Sequence, residues 1–126
     1  MMIKTMLWVS LGGALGSVCR WSLTKLISLL VCNPFPWATL CINLFGCVCI
    51  GLLYAVCNKN IELNTWLSPF LITGFCGGFT TFSTFSYESL GLLKHNEPFY
   101  FALYVLASVG LGLVGVWAGM TLGAGK

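Results

Sequence analysis

Gly74-Phe-Cys-Gly-Gly-Phe-Thr-Thr-Phe-Ser-Thr-Phe-Ser-Tyr-Glu88 is apolar enough for a bilayer and too rich in Gly, Thr and Ser for an undisturbed helix. With Trp66 at one interface and Lys94 at the other, the enclosing segment has its midpoint at residue 80. A continuous helix between those two residues runs about 42 Å, against a hydrocarbon core of about 30 Å. A break or a strong tilt is therefore expected, and the Gly-Gly-Phe-Thr-Thr run, Gly77 to Thr81, is where it belongs. Paired glycines weaken a helix and β-branched threonines resist one. Backbone carbonyls and amides freed in hydrocarbon survive only if protein buries them, water reaches them or an ion binds them. Gly74 and Gly78 also form a small-xxx-small packing pair. Packing alone does not call for five Thr and Ser hydroxyls and Glu88 in the same stretch, so an ion site is the favoured reading.

The rest of the chain agrees with a membrane setting. Of 126 residues, 58% are hydrophobic and 7% charged, where a soluble domain carries about 25% charged residues. A soluble core of this size could not hide that apolar surface. Short alternating segments of a membrane barrel are absent, and the net charge of +3 is scattered, with no basic stripe or nucleic-acid motif. The expected class is an all-α membrane protein of one integral domain, residues 1–126, with four hydrophobic stretches at about 4–32, 37–57, 66–93 and 98–123. Asn33-Pro-Phe-Pro36, the polar run Asn58 to Asn64, and Lys94-His-Asn-Glu-Pro98 separate them; Pro98 is placed to open a helix. Lys4 followed by an apolar run imitates a signal peptide, and Gly16-Ser-Val-Cys19 imitates a lipoprotein cleavage site. Val18 is too bulky for the latter and the apolar run resumes after Arg20, so the first stretch reads as a retained transmembrane helix.

Polar residues inside these stretches are few. Lys25 reads as a snorkelling cation, Arg20 as one facing a wet vestibule, where it would concentrate anions. Asn43, with Thr39 four residues earlier on the same face, is either an interhelical hydrogen bond or a neutral donor for a dehydrated anion. Phe82 and Phe85 share a face beyond the break; ring edges can solvate a small anion, although core or lipid packing is the commoner role of Phe. Phe75 and Phe79 read as packing. Tyr104 and Ser108 share a face of the fourth stretch, which continues to Gly112 and Val116. Gly115, Gly119 and Gly123 form a small-residue stripe there, and Gly46 and Gly51 permit close contact in the second stretch. The seven cysteines lie mostly in apolar runs without a Cys-x-x-Cys pair, and His95 is the only histidine. They read as small packing residues, with Cys47-Val-Cys49 a weak metal hint. Cations divide evenly, Lys4, Lys59 and Lys126 toward one side and Arg20, Lys25 and Lys94 toward the other. The positive-inside rule thus sets no orientation, and insertion in both directions is open to this chain.

The quoted stretch resembles the signature of the Fluc/CrcB family of microbial fluoride channels. Gly12-Gly-Ala-Leu-Gly-Ser-Val-Cys-Arg20 and Thr39-Leu-Cys-Ile-Asn-Leu-Phe-Gly46 match in the same order, so the resemblance covers nearly the whole chain. It implies four transmembrane helices, the third broken at mid-membrane, in an antiparallel dual-topology homodimer with two equivalent pores. It places Asn43, Phe82, Phe85, Ser108, Tyr104 and Thr39 on the fluoride path, with Arg20 in support. The carbonyls of Gly77 and Thr80, from both subunits, become the cage of a central structural sodium ion. Glu88, near Thr81, takes a conformational role. Family members can carry hydroxyls where this chain has Gly112 and Val116, a departure in the outer track. The function implied is passive, non-enzymatic export of fluoride across a bacterial inner membrane, with lipid, fluoride and a second copy as partners and no nucleic acid. Two rivals differ in kind: a proton-coupled multidrug exporter, which needs an acidic residue that the first stretch lacks, and a non-transporting scaffold subunit, which needs no broken helix.

Overall fold

α1 runs Met2–Leu30 and α2 runs Trp37–Cys57, joined by the proline-rich turn. The Asn33 side chain accepts from the Phe35 amide at 2.9 Å, and Phe35 packs into a buried cluster with Leu40, Leu92 and Tyr104. In this computed structural model, which describes residues 1–125, the next span is composite: α3 (Ile61–Leu67), a π-helical segment (Ser68–Cys76), α4 (Gly77–Phe79) and α5 (Phe82–Lys94). α6 covers Pro98–Gly123. No strand occurs among the described residues, and Lys126, counted in the charge tally, lies outside them.

Two boundaries differ from expectation. The first helix ends at Leu30, short of Cys32. The third span starts at Ile61, inside the polar run, because Asn60 caps it: its side-chain oxygen accepts from the amides of Glu62 and Leu63 at 2.9 and 3.3 Å. This satisfies donors at the helix start, and Glu62 in the first turn suits the positive end of the dipole.

Glycines set the packing. A β-carbon on Gly12 would meet the Phe70 carbonyl, and one on Gly16 the Phe75 carbonyl, so α1 lies with its backbone against the π-helical segment. From the other side, Gly74 and Gly78 approach the carbonyls of Val9 and Gly13. α2 pairs with α6 in the same manner: Gly51 faces the Val116 carbonyl and Gly119 faces Val48, while Gly115 and Gly123 continue the stripe. The two packed pairs are thus α1 with the first half of the composite span, and α2 with α6. Outside them, Leu7, Leu11, Leu15 and Val18 of α1 and Leu106, Leu113 and Trp117 of α6 are exposed, an apolar surface that water would not tolerate. α1, α2 and α6 are each long and apolar enough to cross a membrane.

Candidate functional site

The composite span leaves helical geometry at Thr80 (φ −86°, ψ 160°) and Thr81 (φ −152°, ψ 121°). Gly77, by contrast, stays helical at φ −62°, ψ −38°. The threonines break the helix. They lie within the Gly77–Thr81 run where the break was expected; of the two glycines in that run, Gly78 brings α4 close to Gly13 of α1, while a β-carbon on Gly77 would meet nothing within 4 Å.

What holds the break is Asn43. Its amide nitrogen donates to the Thr81 carbonyl at 3.0 Å, and its oxygen accepts from the Thr81 amide at 2.9 Å. One side chain on α2 therefore satisfies both backbone groups of the residue that has left the helix, as a neighbouring strand would. The Thr81 hydroxyl accepts from the Thr84 amide at 3.2 Å and so caps α5. Upstream, Arg20 reaches from α1 and donates through Nε to the Gly78 carbonyl at 3.0 Å. The sequence suggests a vestibule role for Arg20 and leaves Asn43 open between an interhelical hydrogen bond and an anion donor; in the structure both side chains brace the break, Asn43 through hydrogen bonds between elements. The Thr80 amide and hydroxyl both bond the Cys76 carbonyl, at 3.0 and 2.8 Å. Gly77 would bond the Thr81 amide in a continuous helix, and Thr80 the Thr84 amide. Both amides are taken by side chains, so both carbonyls lose their helical partners.

Two cavities flank this break. One, about 300 Å³, is lined by Asn43, Thr80, Phe82, Phe85 and Ser108 among others. The Phe82 and Phe85 rings stand 5.7 Å apart, and Phe82 is 79% exposed, while Phe85 also packs on Tyr104 at 5.0 Å. The Ser108 hydroxyl is buried and has no hydrogen-bond partner. The other cavity, about 120 Å³, brings Arg20, Thr39, Thr81 and Glu88 together. Tyr104 is fully buried and donates to Glu88 Oε1 at 2.9 Å. Its hydroxyl thus faces the carboxylate; of Tyr104 and Ser108, which share a helix face, only Ser108 lines the cavity with Phe82 and Phe85. Phe79 is buried and stacks on Phe75 at 5.7 Å, the packing role expected of that pair. Lys25 is exposed, its ammonium 5.7 Å from the Trp21 ring. No group of three metal-ligating side chains occurs among the described residues, Cys47 and Cys49 included.

The whole arrangement lies within residues 7–120, which match the family model described as CrcB-like protein, Camphor Resistance (CrcB). The chain belongs to the CrcB-like family. Three curated relatives named fluoride-specific ion channel FluC are similar to it over nearly their whole length. That of Flavobacterium psychrophilum is 43% identical over 120 residues, 95% of this chain and 97% of the relative. Those of Phocaeicola vulgatus and Geobacter sulfurreducens are 44% and 45% identical over 118 residues, each covering 94% of this chain and 97% and 95% of the relative. With three helices of spanning length and composition, this CrcB-like chain is a multi-pass membrane protein.

The Tyr104 to Glu88 contact in this CrcB-like site gives a first prediction. Tyr104→Phe keeps the ring packing and leaves a part-buried carboxylate without its donor, a loss of about 1–3 kcal/mol. Thermal denaturation in detergent is expected to show a lower midpoint with helix content unchanged; an unaltered midpoint would mean that water replaces the hydroxyl.

Proposed function

We propose that this protein is a fluoride-selective channel that lets fluoride leave the cytoplasm passively. The observation that carries the reading is the interrupted span. Its break, braced by Asn43, borders a cavity with Phe82, Phe85 and the unpartnered Ser108 hydroxyl, in a chain 43% identical to a protein named fluoride-specific ion channel. Hydrofluoric acid crosses a bilayer neutral and dissociates inside; a negative membrane potential then drives the anion out.

The donors on this route are neutral. Asn43 spends one amide hydrogen on Thr81 and keeps a second for an anion. Ser108 offers a hydroxyl, and Phe82 and Phe85 offer ring edges, whose positive rims suit a small anion where water is scarce. Narrowness and neutral donors select fluoride without a fixed cation that would hold it. Arg20, already occupied at Gly78, sits beside Thr39 and Glu88 at the flank, where it raises the local anion concentration.

The composite span supplies a fourth crossing, its break at mid-membrane. A copy inserted in the opposite direction faces this chain across a two-fold axis in the membrane plane, which creates two equivalent routes. The freed carbonyls of Gly77 and Thr80 then meet their counterparts at the axis and hold a structural sodium ion among oxygens. Gly77 is exposed in the single chain, and a β-carbon there would meet nothing within 4 Å, which leaves its carbonyl region free for such a contact.

The test is fluoride efflux from sealed vesicles carrying the purified protein, read with a fluoride electrode. Wild-type protein is expected to release fluoride and retain chloride; vesicles that hold their fluoride would overturn the assignment. Phe82→Ile removes one ring edge and is expected to slow efflux on the order of tenfold, as a loss of about 1.4 kcal/mol of anion stabilisation would give. Efflux at the wild-type rate from that variant would return Phe82 to a packing role.

A further inference from the structure

Along the seam between α1 and the composite span, the two partners do not keep the same step. On α1, Trp8, Gly12 and Gly16 follow one another at intervals of four residues. Trp8 sits against both Trp66 and Phe70, with ring centroids 5.6 and 5.7 Å away. A β-carbon on Gly12 would meet the Phe70 carbonyl and the Phe75 amide, and one on Gly16 the Phe75 carbonyl and the Phe79 amide. The residues facing α1 are therefore Trp66, Phe70, Phe75 and Phe79, in steps of four, five and four. Other glycines that seat on a carbonyl and an amide show only the step of four: Gly51 on Val116 and Met120, Gly119 on Val48 and Leu52, and Gly74 on Val9 and Gly13. Four is the hydrogen-bonded step of an α-helix and five that of a π-helix. Seen from α1, the span thus holds one residue too many, and it lies between Phe70 and Phe75, inside the π-helical segment. In that interval Thr73 is exposed whereas Ile72 and Gly74 are buried, so the extra residue is carried on the face turned away from α1.

We propose that the π-helical turn is the positioning device of the break: its wider winding absorbs one extra residue and so keeps Thr81 in register with Asn43. Wound as an α-helix, the extra residue would lengthen the span by about 1.5 Å and turn all that follows by about 100°. Gly16 would then lose its seat on Phe75 and Phe79, and the Thr81 backbone would swing away from the Asn43 amide that holds it from both sides. The turn therefore has slack in one direction only. Shortened by one residue, it becomes α-helical, Phe70 and Phe75 stand four apart, and both ends still face their partners. Lengthened by one, it exceeds what the winding takes up. The device lies in the single chain and holds whether or not the break carries fluoride.

The experiment compares three full-length proteins by thermal denaturation in detergent: wild type, a chain lacking Thr73, and a chain with one alanine inserted after Thr73. The deletion is expected to melt at or above the wild-type midpoint, and the insertion several degrees below it or to aggregate. Asn43→Ala, made in wild type and in the deletion, then reports on the break itself. It is expected to lower the midpoint by the same shift in both, since residues that do not depend on one another add. A deletion that melts as low as the insertion, or an insertion as stable as wild type, would overturn the proposal. So would an Asn43→Ala shift that disappears once Thr73 is removed, because Thr81 would then have left Asn43, or one absent from both proteins, because the register would then not rest on that contact.

Discussion

Asn43→Asp is expected to abolish measurable fluoride efflux, a loss on the order of 100-fold or more. The Thr81 amide can still donate to the new carboxylate, but the Thr81 carbonyl loses its donor and faces an oxygen instead. An unmatched carbonyl in a part-buried site costs about 1–3 kcal/mol. The added charge does more. A carboxylate in the cavity of Phe82 and Ser108 repels an arriving anion by about 4 kcal/mol at 4 Å, taking an effective dielectric constant of about 20. The close contacts that seat α1 on the composite span and α2 on α6 are made at glycines away from residue 43, so the variant is expected to purify with the wild-type size-exclusion profile and helix content. Efflux at the wild-type rate from correctly assembled Asn43→Asp would remove Asn43 from the route.

The largest effect on assembly is expected from a single methyl group. Gly16→Ala places a β-carbon against the Phe75 carbonyl and close to the Phe79 amide, at 2.9 Å. Both are backbone atoms of the composite span, so no side chain can swing aside. α1 must move off that span, taking with it the Arg20 contact to Gly78. Overpacking of this kind costs about 1–3 kcal/mol and more where the backbone is the obstacle. Gly110→Ala is the matched control, because a β-carbon there meets nothing within 4 Å. Thermal denaturation in detergent should show Gly16→Ala melting several degrees below wild type or aggregating, and Gly110→Ala at or above the wild-type midpoint, since Ala favours a helix by about 1 kcal/mol over Gly. Equal midpoints for the two variants would show that α1 does not seat closely on its partner.

Much of this fold is legible in the chain because apolar runs and their punctuation follow simple rules. The bounds of α2 and α6 agree with the stretches 37–57 and 98–123, each set by a proline at the start and polar residues or small ones at the end. The interruption near residue 80 is legible from length and composition together: α1 is 29 residues long and unbroken, so the length of the segment from Trp66 to Lys94 calls only for a break or a tilt, and the Gly77–Thr81 run favours the break. Its chemistry is less so. Gly77 and Gly78 suggest flexibility, yet they remain helical, because what matters at Gly78 is the missing β-carbon beside Gly13 of α1. That the helix ends at Thr80 depends on Asn43, 38 positions upstream of Thr81, and a pairing between distant segments leaves no periodic trace. The π-helical turn at Ser68–Cys76 leaves no signal in the residues either. Tyr104 can be placed on a helix face by counting, but its donation to Glu88 requires the two helices to be docked.

The pairing of helices has a consequence for how the chain is made. α1 finds its close partner only in the composite span, and α2 finds its own only in α6; α1 and α2 touch each other far less. A nascent chain leaving the ribosome therefore presents two spans whose glycine faces have nothing to seat against. They must wait in the insertion machinery or in lipid until later segments emerge, and the interleaved order commits assembly to a late, concerted step. Truncation before α6 would leave α2 without its mate, and Asn43, the residue that braces the break, would then be carried on an undocked helix.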